Sequence, residues 1–171
     1  MGLGGSHARG RATAESDVDL YLLYSESAPL PIASLREIAR RRDDGPDPVV
    51  AEHGEWGPWV DGGAWLRVRD QRIDLLYRSV ERVERVLAQA QQGEYEIHYG
   101  QQPPYGYFGP TVLGEIAICR PLRDTEGRLS ALASRVLAYP EPLRRAVVQD
   151  ALWAVEFGLA FAEKFAARGD P

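Results

Sequence analysis

Acidic residues interrupt two apolar, strand-like runs of this chain, and this pattern constrains its fold more than any other. Across residues 16–24 apolar and polar side chains alternate, which predicts a β-strand. Asp17 and Asp19 lie two residues apart in that run, so both project from one face. Asp74 interrupts a second run, 72–77. Because buried carboxylates are costly unless something cationic compensates them, we expect three carboxylates around a cation if the two strands are neighbours.

A glycine turn that ends in a serine precedes the first two aspartates. Gly4 and Gly5 allow the backbone to turn so that successive N–H groups face an anion, and Ser6 adds a hydroxyl donor. Arg9 and Arg11 follow at once, where they would neutralise a triphosphate or a departing pyrophosphate. Gly-Gly-Ser and Asp-x-Asp are each weak signals alone. Their order and spacing, with a third aspartate downstream, indicate nucleotidyl transfer.

The metal chemistry expected of this cluster is that of magnesium. Mg²⁺ prefers oxygen ligands and is usually held by one or two carboxylates together with substrate phosphates. Two such ions, about 3.5–4 Å apart, clamp the attacking and leaving oxygens of an in-line phosphoryl displacement. We therefore expect Asp17, Asp19 and Asp74 to be catalytic and to bind two Mg²⁺ ions, with ATP or another NTP as the substrate.

The segments 3–10 (Leu-Gly-Gly-Ser-His-Ala-Arg-Gly) and 16–20 (Ser-Asp-Val-Asp-Leu) closely resemble the signature of the DNA polymerase β-like nucleotidyltransferase superfamily. That superfamily includes the aminoglycoside nucleotidyltransferases and the minimal nucleotidyltransferases of bacterial toxin–antitoxin pairs. The segment 54–66, rich in Gly and Trp, looks like a bacterial subgroup known as nucleotidyltransferase domain proteins. The resemblance implies an α+β fold, in which helices flank a mixed β-sheet and a C-terminal helical region follows.

The resemblance also implies roles for individual residues. Ser6, in the turn formed by Gly4 and Gly5, would contact the nucleotide phosphates. Asp17 and Asp19 would bind both metals, and Asp74 would hold the catalytic metal and help to activate the acceptor hydroxyl. Some members of the superfamily use a glutamate outside the triad as general base. Glu115, which is predicted to open a helix after a Pro/Gly/Tyr loop, is the candidate here, with a plain helix-start glutamate as the alternative.

Hydrophobic periodicity predicts the remaining elements. Three strands are predicted at 49–51, 64–68 and 72–77, and the last two form a hairpin closed near Asp70-Gln71. Five helices are predicted at 32–42, 80–90, 111–119, 127–138 and 141–167. The loop 100–110 is the predicted boundary between a catalytic domain, 1–99, and a helical region, 100–171, in which every element is expected to be helical. Most of the family's first strand is expected to be missing and the helical region to be truncated, either of which would leave a folded but inactive chain.

Composition excludes several classes of protein. The chain has no asparagine and a single lysine, Lys164, so neither a P-loop nor a protein kinase site can be assembled. Its net charge is −5 and it has no basic stripe, so nucleic acid is not an expected partner. A single cysteine, Cys119, excludes an internal disulfide and fits a cytoplasmic protein. No apolar run is long enough to predict a membrane span.

The acceptor of the nucleotide is open at this stage. A small hydroxylated molecule is favoured over a protein side chain or a tRNA end. Four aromatic residues are predicted either to line an acceptor cleft or to pack in the core: Trp56, Trp59, Tyr105 and Tyr107. A rival hypothesis is a catalytically silent protein of the same fold that binds nucleotide or acts as an antitoxin-type partner.

An aromatic stripe near the C-terminus predicts a helix that packs against another helix. Its four members are spaced by four residues: Trp153, Phe157, Phe161 and Phe165. This spacing places them along one side of a helix, where packing is favoured over ligand stacking. The stripe has no evident partner in the sequence, so we expect a homodimer through the C-terminal helices.

Overall fold

The computed structural model describes residues 1–101 and 106–169. Its strands are β1 (Gly2–Leu3), β2 (Val18–Tyr24), β3 (Val49–Val50), β4 (Gly63–Val68), β5 (Gln71–Ser79), β6 (Ile97–His98), β7 (Tyr107–Phe108) and β8 (Arg120–Pro121). Its helices are α1 (Gly5–Ala8), α2 (Ile32–Arg42), α3 (Val80–Gln92), α4 (Thr111–Ile118), α5 (Arg128–Val136) and α6 (Glu141–Ala166). The expected α+β class with a mixed sheet is therefore confirmed.

Six strands form the main sheet, in the order β3-β4-β5-β2-β1-β8, and β6 and β7 form a separate hairpin. β2 and β5 run parallel, whereas the other neighbouring strands of the main sheet are antiparallel. The predicted β4–β5 hairpin is confirmed. Its turn residues, Arg69 and Asp70, have φ angles of 53° and 63°, which is the backbone of a tight two-residue hairpin turn.

The two faces of β2 have different neighbours because side chains alternate along a strand. Tyr21, on the face that also carries Asp17 and Asp19, is buried in the main hydrophobic cluster. The helices contribute to this cluster Val83, Val86, Leu87 and Ala90 from α3, Val112, Leu113 and Ile116 from α4, Leu129, Leu132 and Val136 from α5, and Leu143 from α6. The helices thus cover the far end of β2, while its beginning, where the aspartates lie, is only partly covered.

Helix α3 follows β5 without a loop, and its ends are defined by capping. The hydroxyl of Ser79 accepts a hydrogen bond from the N–H of Arg82 (3.0 Å), which satisfies one of the free donors of the first turn. Gly93 ends the helix in a left-handed conformation, with φ of 80°. Because α3 starts directly at the end of β5, the strand that carries Asp74 is held firmly against the helical layer.

The expectation that every element after residue 100 is helical was wrong. β7 lies inside the predicted loop, and β8 pairs antiparallel with β1 at the edge of the main sheet. Two-residue strands carry no hydrophobic periodicity, so the sequence pattern cannot reveal them. β1 itself is short, as expected, but it is hydrogen-bonded on both sides, to β2 and to β8. Residues from both sides of position 100 also share the main cluster; the division into two domains stays a prediction.

Helix α6 is attached to the rest of the molecule near its beginning only. Leu143 is completely buried, whereas the large apolar residues of the helix from Val148 to Phe165 are 41–66% exposed. None of the described helices is both long enough and apolar enough to cross a membrane. Much of the apolar surface of α6 is therefore left without a partner in the described chain.

Candidate active site

The strand register brings the three predicted aspartates together on one face of the sheet. In the parallel pair β2–β5, Asp19 lies directly opposite Asp74. Asp17 precedes Asp19 by two residues and projects from the same face. Burial, and then the negative charge of Asp17, raise the pKa values of both Asp19 and Asp74. The charge of Asp19 raises the pKa of Asp74 further. The three carboxylates therefore repel one another in the folded protein.

Nothing in the described part of the chain compensates these carboxylates by a direct contact. The side chains of Asp17, Asp19 and Asp74 are half-buried, and they make neither a hydrogen bond nor an ion pair with residues 1–101 or 106–169. Asp61 is different, since it accepts hydrogen bonds from Tyr24 Oη, His53 Nδ1 and Gly54 N. A cluster of like charges without partners favours an added cation.

The loop that leads into β2 is tied to the beginning of β5, which fixes the position of Asp17. Gln71 Nε2 donates a hydrogen bond to the carbonyl of Ser16 (2.7 Å). Arg72 Nη2 donates to the carbonyl of Glu15 (2.9 Å). These bonds fix the two residues that precede Asp17, so Asp17 is held beside Asp74 by β5 itself.

An open groove of about 570 Å³ runs along the outer side of Asp17 and Asp74. Trp65 forms part of its wall, because it pairs with Asp74 across β4 and β5. Asp43 and Asp44 also line the groove, but they accept backbone hydrogen bonds from Arg67 (2.6 Å) and Asp70 (2.9 Å) and so brace the loop after α2. Trp65 was not predicted as a site residue, although the alternation of β4 places it on the aspartate face.

The glycine turn packs tightly against Asp19. Gly5 has φ of +56°, and a Cβ atom there would lie 1.7 Å from Asp19 Oδ2, so any other residue would displace the Asp19 carboxylate. The N–H of Gly4 donates to the carbonyl of Asp19 (2.8 Å) and so extends the β1–β2 pairing, which leaves the N–H groups that follow it in the turn as the ones able to face an anion. The N–H groups of Gly5 and Ser6 have no backbone acceptor in the described chain, and Arg9 is exposed nearby.

Glu115 lies close to the aspartates but is not at the start of a helix as predicted. It is in the second turn of α4, where its Oε2 accepts a hydrogen bond from Arg78 Nε (2.9 Å) and forms an ion pair with Arg78 Nη2 (2.8 Å). Its charge contributes to the raised pKa values of Asp19 and Tyr21, although burial is the larger cause for both. Glu115 therefore lies on the same side of the sheet as the cluster, where Arg78 holds it.

Arg78 is a residue of the site that the sequence analysis missed. It is 6% exposed and lies on the same face of β5 as Asp74, four residues further along. Its guanidinium is 5.4 Å from the centre of the Tyr21 ring and donates to the carbonyl of Tyr77 (3.0 Å). The alternation of β5 contained the signal, since it places an arginine on the aspartate face.

The aromatic residues predicted for the acceptor cleft divide into two groups. Trp56 stacks on Trp65, with ring centres 4.7 Å apart, and Trp59 stacks on His98 at 3.7 Å. Tyr107 is buried and belongs to the packed interior instead. Tyr105 lies outside the described residues. Of the three aromatic residues that the structure describes, the two tryptophans line open space beside the site and Tyr107 does not.

Cys119, the single cysteine of the chain, is buried. Burial raises the pKa of the Cys119 thiol to about 11, so it is not a nucleophile.

Within the described ranges, no three His, Cys, Asp or Glu side chains stand close enough together to form a metal site. The oxygen donors of Asp17, Asp19 and Asp74 nevertheless suit Mg²⁺ in kind. No protein-family model and no curated protein matches the chain.

Proposed function

We propose that this protein is a metal-dependent nucleotidyltransferase that moves an NMP unit, AMP from ATP in the first instance, to a hydroxyl of a small acceptor. The observation that carries the proposal is the register of β2 and β5. It sets Asp19 opposite Asp74, beside Asp17 and within contact of the Gly5 turn. Such a placement of three carboxylates, whose mutual repulsion His7 and Arg72 offset only in part, next to free backbone donors suits a metal–triphosphate substrate.

In the proposed mechanism, Asp17, Asp19 and Asp74 hold two Mg²⁺ ions, which when bound supply charge neutralisation at the phosphates. The N–H groups of Gly5 and Ser6 and the hydroxyl of Ser6 bind phosphate oxygens, and Arg9 balances the charge of the leaving group. The acceptor oxygen forms a bond to the α-phosphorus while the bond from that phosphorus to pyrophosphate breaks. The proton of the acceptor hydroxyl passes to a carboxylate of the site, Asp74 or Glu115.

Calorimetric titration of the chain with a non-hydrolysable ATP analogue, with and without Mg²⁺, tests the proposal. We expect binding that requires Mg²⁺ and that Asp17→Asn and Asp74→Asn abolish. Asp47→Asn, a substitution of an exposed aspartate that lines the same groove, is the matched control and should leave binding unchanged. Release of pyrophosphate on addition of small hydroxylated molecules would then identify the acceptor.

A second candidate is a silent protein of the same fold that binds nucleotide or serves as an antitoxin-type partner. One observation favours it: the described side chains are not gathered closely enough to form a metal site as they stand. The two candidates differ in the same titration. Nucleotide binding that does not depend on Mg²⁺, and that Asp17→Asn leaves unchanged, would support the silent protein and contradict the proposal of an enzyme.

We also propose that the unpartnered side of α6 forms the interface of a homodimer, and that the protein is cytoplasmic. Its aromatic residues are Trp153, Phe157, Phe161 and Phe165, which are 41–63% exposed. They alone expose roughly 400 Å². This is about half of the ~800 Å² that each partner buries in a standard interface, and the exposed aliphatic residues of α6 add to it. Light scattering tests the assignment: Phe157→Glu should give a monomer, whereas Glu156→Gln should not, and a monomeric wild type would contradict it.

A further inference from the structure

His53 has a hydrogen-bond acceptor at each of its two ring nitrogens. Its Nδ1 lies 3.1 Å from Asp61 Oδ2, and its Nε2 lies 3.3 Å from the carbonyl oxygen of Leu30. The ring also packs against two tyrosines, with its centre 4.9 Å from that of Tyr24 and 5.6 Å from that of Tyr77. These contacts fix the ring with one nitrogen toward Asp61 and the other toward Leu30.

The chemistry of the two acceptors makes this contact depend on protonation. A carboxylate and a backbone carbonyl only accept hydrogen bonds. A neutral imidazole carries a single N–H and can donate to one of them, whereas the protonated ring donates to both. The bond to Asp61 is the stronger of the two, because its acceptor is charged. When the ring loses a proton, we therefore expect the remaining N–H to stay on Nδ1, and the lone pair of Nε2 then repels the oxygen of Leu30.

The titratable groups that touch the ring keep their charge near neutral pH. Burial raises the pKa of Tyr24 and raises that of Tyr77 to about 12, so both stay neutral. Burial also raises the pKa of Asp61, but the hydrogen bonds that Asp61 accepts outweigh burial and lower its pKa, so Asp61 stays ionised. Further charged side chains surround these contacts: Glu26, Arg36, Glu52, Glu55 and Arg82. Histidine, by contrast, is the type of side chain that ordinarily changes its charge between pH 5 and 8.

From the two acceptors that face one ring, we propose that His53 is a pH-sensitive latch between the loops 25–31 and 53–61. The protonated ring ties the two loops together, and loss of a proton releases Leu30. The loop 53–61 stays attached in both states, because Asp61 also accepts a hydrogen bond from Tyr24 Oη (2.8 Å). The part that the latch frees is therefore the end of the loop 25–31.

Helix α2 connects the latch to the candidate active site. Leu30 is followed by Pro31, whose carbonyl accepts the N–H of Leu35 (3.1 Å) in the first turn of α2. Asp43 and Asp44 follow the other end of the helix and line the groove of about 570 Å³. Release of Leu30 should loosen the first turn of α2, so the latch acts on the helix that ends at this groove. This step does not depend on what the groove binds.

NMR of the full chain, labelled with ¹³C and ¹⁵N, tests the latch between pH 5 and 8.5 without metal or nucleotide. The ring nitrogens of His53 report its protonation, and the carbonyl carbon of Leu30 reports the bond to Nε2. Hydrogen exchange of the Leu35 N–H, corrected for its intrinsic rate, reports the first turn of α2. We expect all three to change with one midpoint, and the protection of Leu35 to fall about fivefold as the pH rises. The Ala131 N–H, which donates to the carbonyl of Gly127 (2.9 Å) in the first turn of α5, is the reference and should keep its protection.

His53→Gln is the decisive variant, because its side chain does not change its charge in this range. The protection of Leu35 should then be independent of pH, whereas His98→Gln, the matched control, should respond like wild type. Three results would each overturn the proposal: one protonation state of His53 across the whole range, Leu30 and Leu35 signals that do not follow the ring, or a wild-type response in His53→Gln. The titration of wild type decides alone if His53→Gln does not fold. Neither Mg²⁺ nor nucleotide is present, so the outcome is separate from that of the proposed function.

Discussion

Replacing Gly5 by alanine should destabilise the protein by an amount that the structure allows to be divided into two parts. The first part is backbone strain, because Gly5 has φ of +56°. A residue with a side chain is destabilised by about 1–2 kcal/mol there. The second part is steric, because the new Cβ would lie 1.7 Å from Asp19 Oδ2 and 2.7 Å from Asp19 Cγ. Asp19 must rotate away, which costs about 0.5–1.5 kcal/mol.

Together these costs predict a loss of about 1.5–3.5 kcal/mol for Gly5→Ala. In a chain of this size that corresponds to a fall in Tm of roughly 3–14 °C, measured by circular dichroism. Gly10→Ala is the matched control, since Gly10 has φ of +67° but nothing lies within 4 Å of the position that its Cβ atom would take. It should show the backbone cost alone and lose about 1–2 kcal/mol.

The comparison of these two variants also bears on the site. If Asp19 is displaced, Gly5→Ala should lose Mg²⁺-dependent nucleotide binding, whereas Gly10→Ala should keep it. Equal losses of stability in the two variants would show that Gly5 does not press on Asp19. Unchanged nucleotide binding in Gly5→Ala would show that the position of the Asp19 carboxylate is irrelevant to the ligand. Either result would refute the reasoning from the close contact of the turn with β2.

Charge and packing lead to three further predictions. Asp74→Asn should raise Tm at pH 7.5 without metal and remove any stabilisation by Mg²⁺. Because the folded pKa of Asp74 is raised, the ionised carboxylate opposes folding. The gain in Tm from Asp74→Asn should therefore vanish once the pH falls below the unfolded pKa of Asp74. A lower Tm of Asp74→Asn at pH 7.5 would contradict this prediction. Asp61→Asn should cost about 1–3 kcal/mol in denaturant unfolding. Burial raises the pKa of Asp61, but the hydrogen bonds that Asp61 accepts outweigh burial and lower its pKa. The ionised carboxylate therefore stabilises the fold above the unfolded pKa, and this stabilisation is lost as the pH falls through the folded pKa. A cost of Asp61→Asn that does not depend on pH would show that it does not come from the ionised carboxylate. Leu143→Ala should lower the free energy of unfolding by about 2–5 kcal/mol, because this completely buried side chain attaches α6 to the core. The control, Val148→Ala, changes a 46% exposed residue and should cost far less. Equal costs would show that α6 is not attached at Leu143.

The sequence was sufficient to predict the elements that are long and periodic. α2, α3 and the β4–β5 hairpin were predicted close to their observed bounds, because each has a full repeat of apolar positions. β8 could not be predicted, since its reason for being a strand is its pairing with β1, which lies at the other end of the chain. Pairing between distant segments leaves no local trace when the strand has only two residues.

For the candidate site, alternation predicted which face each residue occupies but not what it contacts. It placed Asp17 and Asp19 together, and the observed β2–β5 register added Asp74. The hydrogen bond from Gly4 to Asp19 could not be predicted, because it depends on β1 pairing with β2. The same limit applies to Glu115, whose position relative to Arg78 is decided by the packing of α4 on the sheet.

The ion pair of Arg78 and Glu115 shapes how the site can use its negative charge. Arg78 is buried and its guanidinium is already satisfied by Glu115 Oε2 and the carbonyl of Tyr77, so it does not compensate the aspartates. Glu115 in turn adds to the repulsion felt by Asp19 rather than relieving it. The fold thus uses this buried cation to orient a fourth carboxylate. On the function proposed above, the positive charge that balances these carboxylates comes from a ligand, a metal–nucleotide complex.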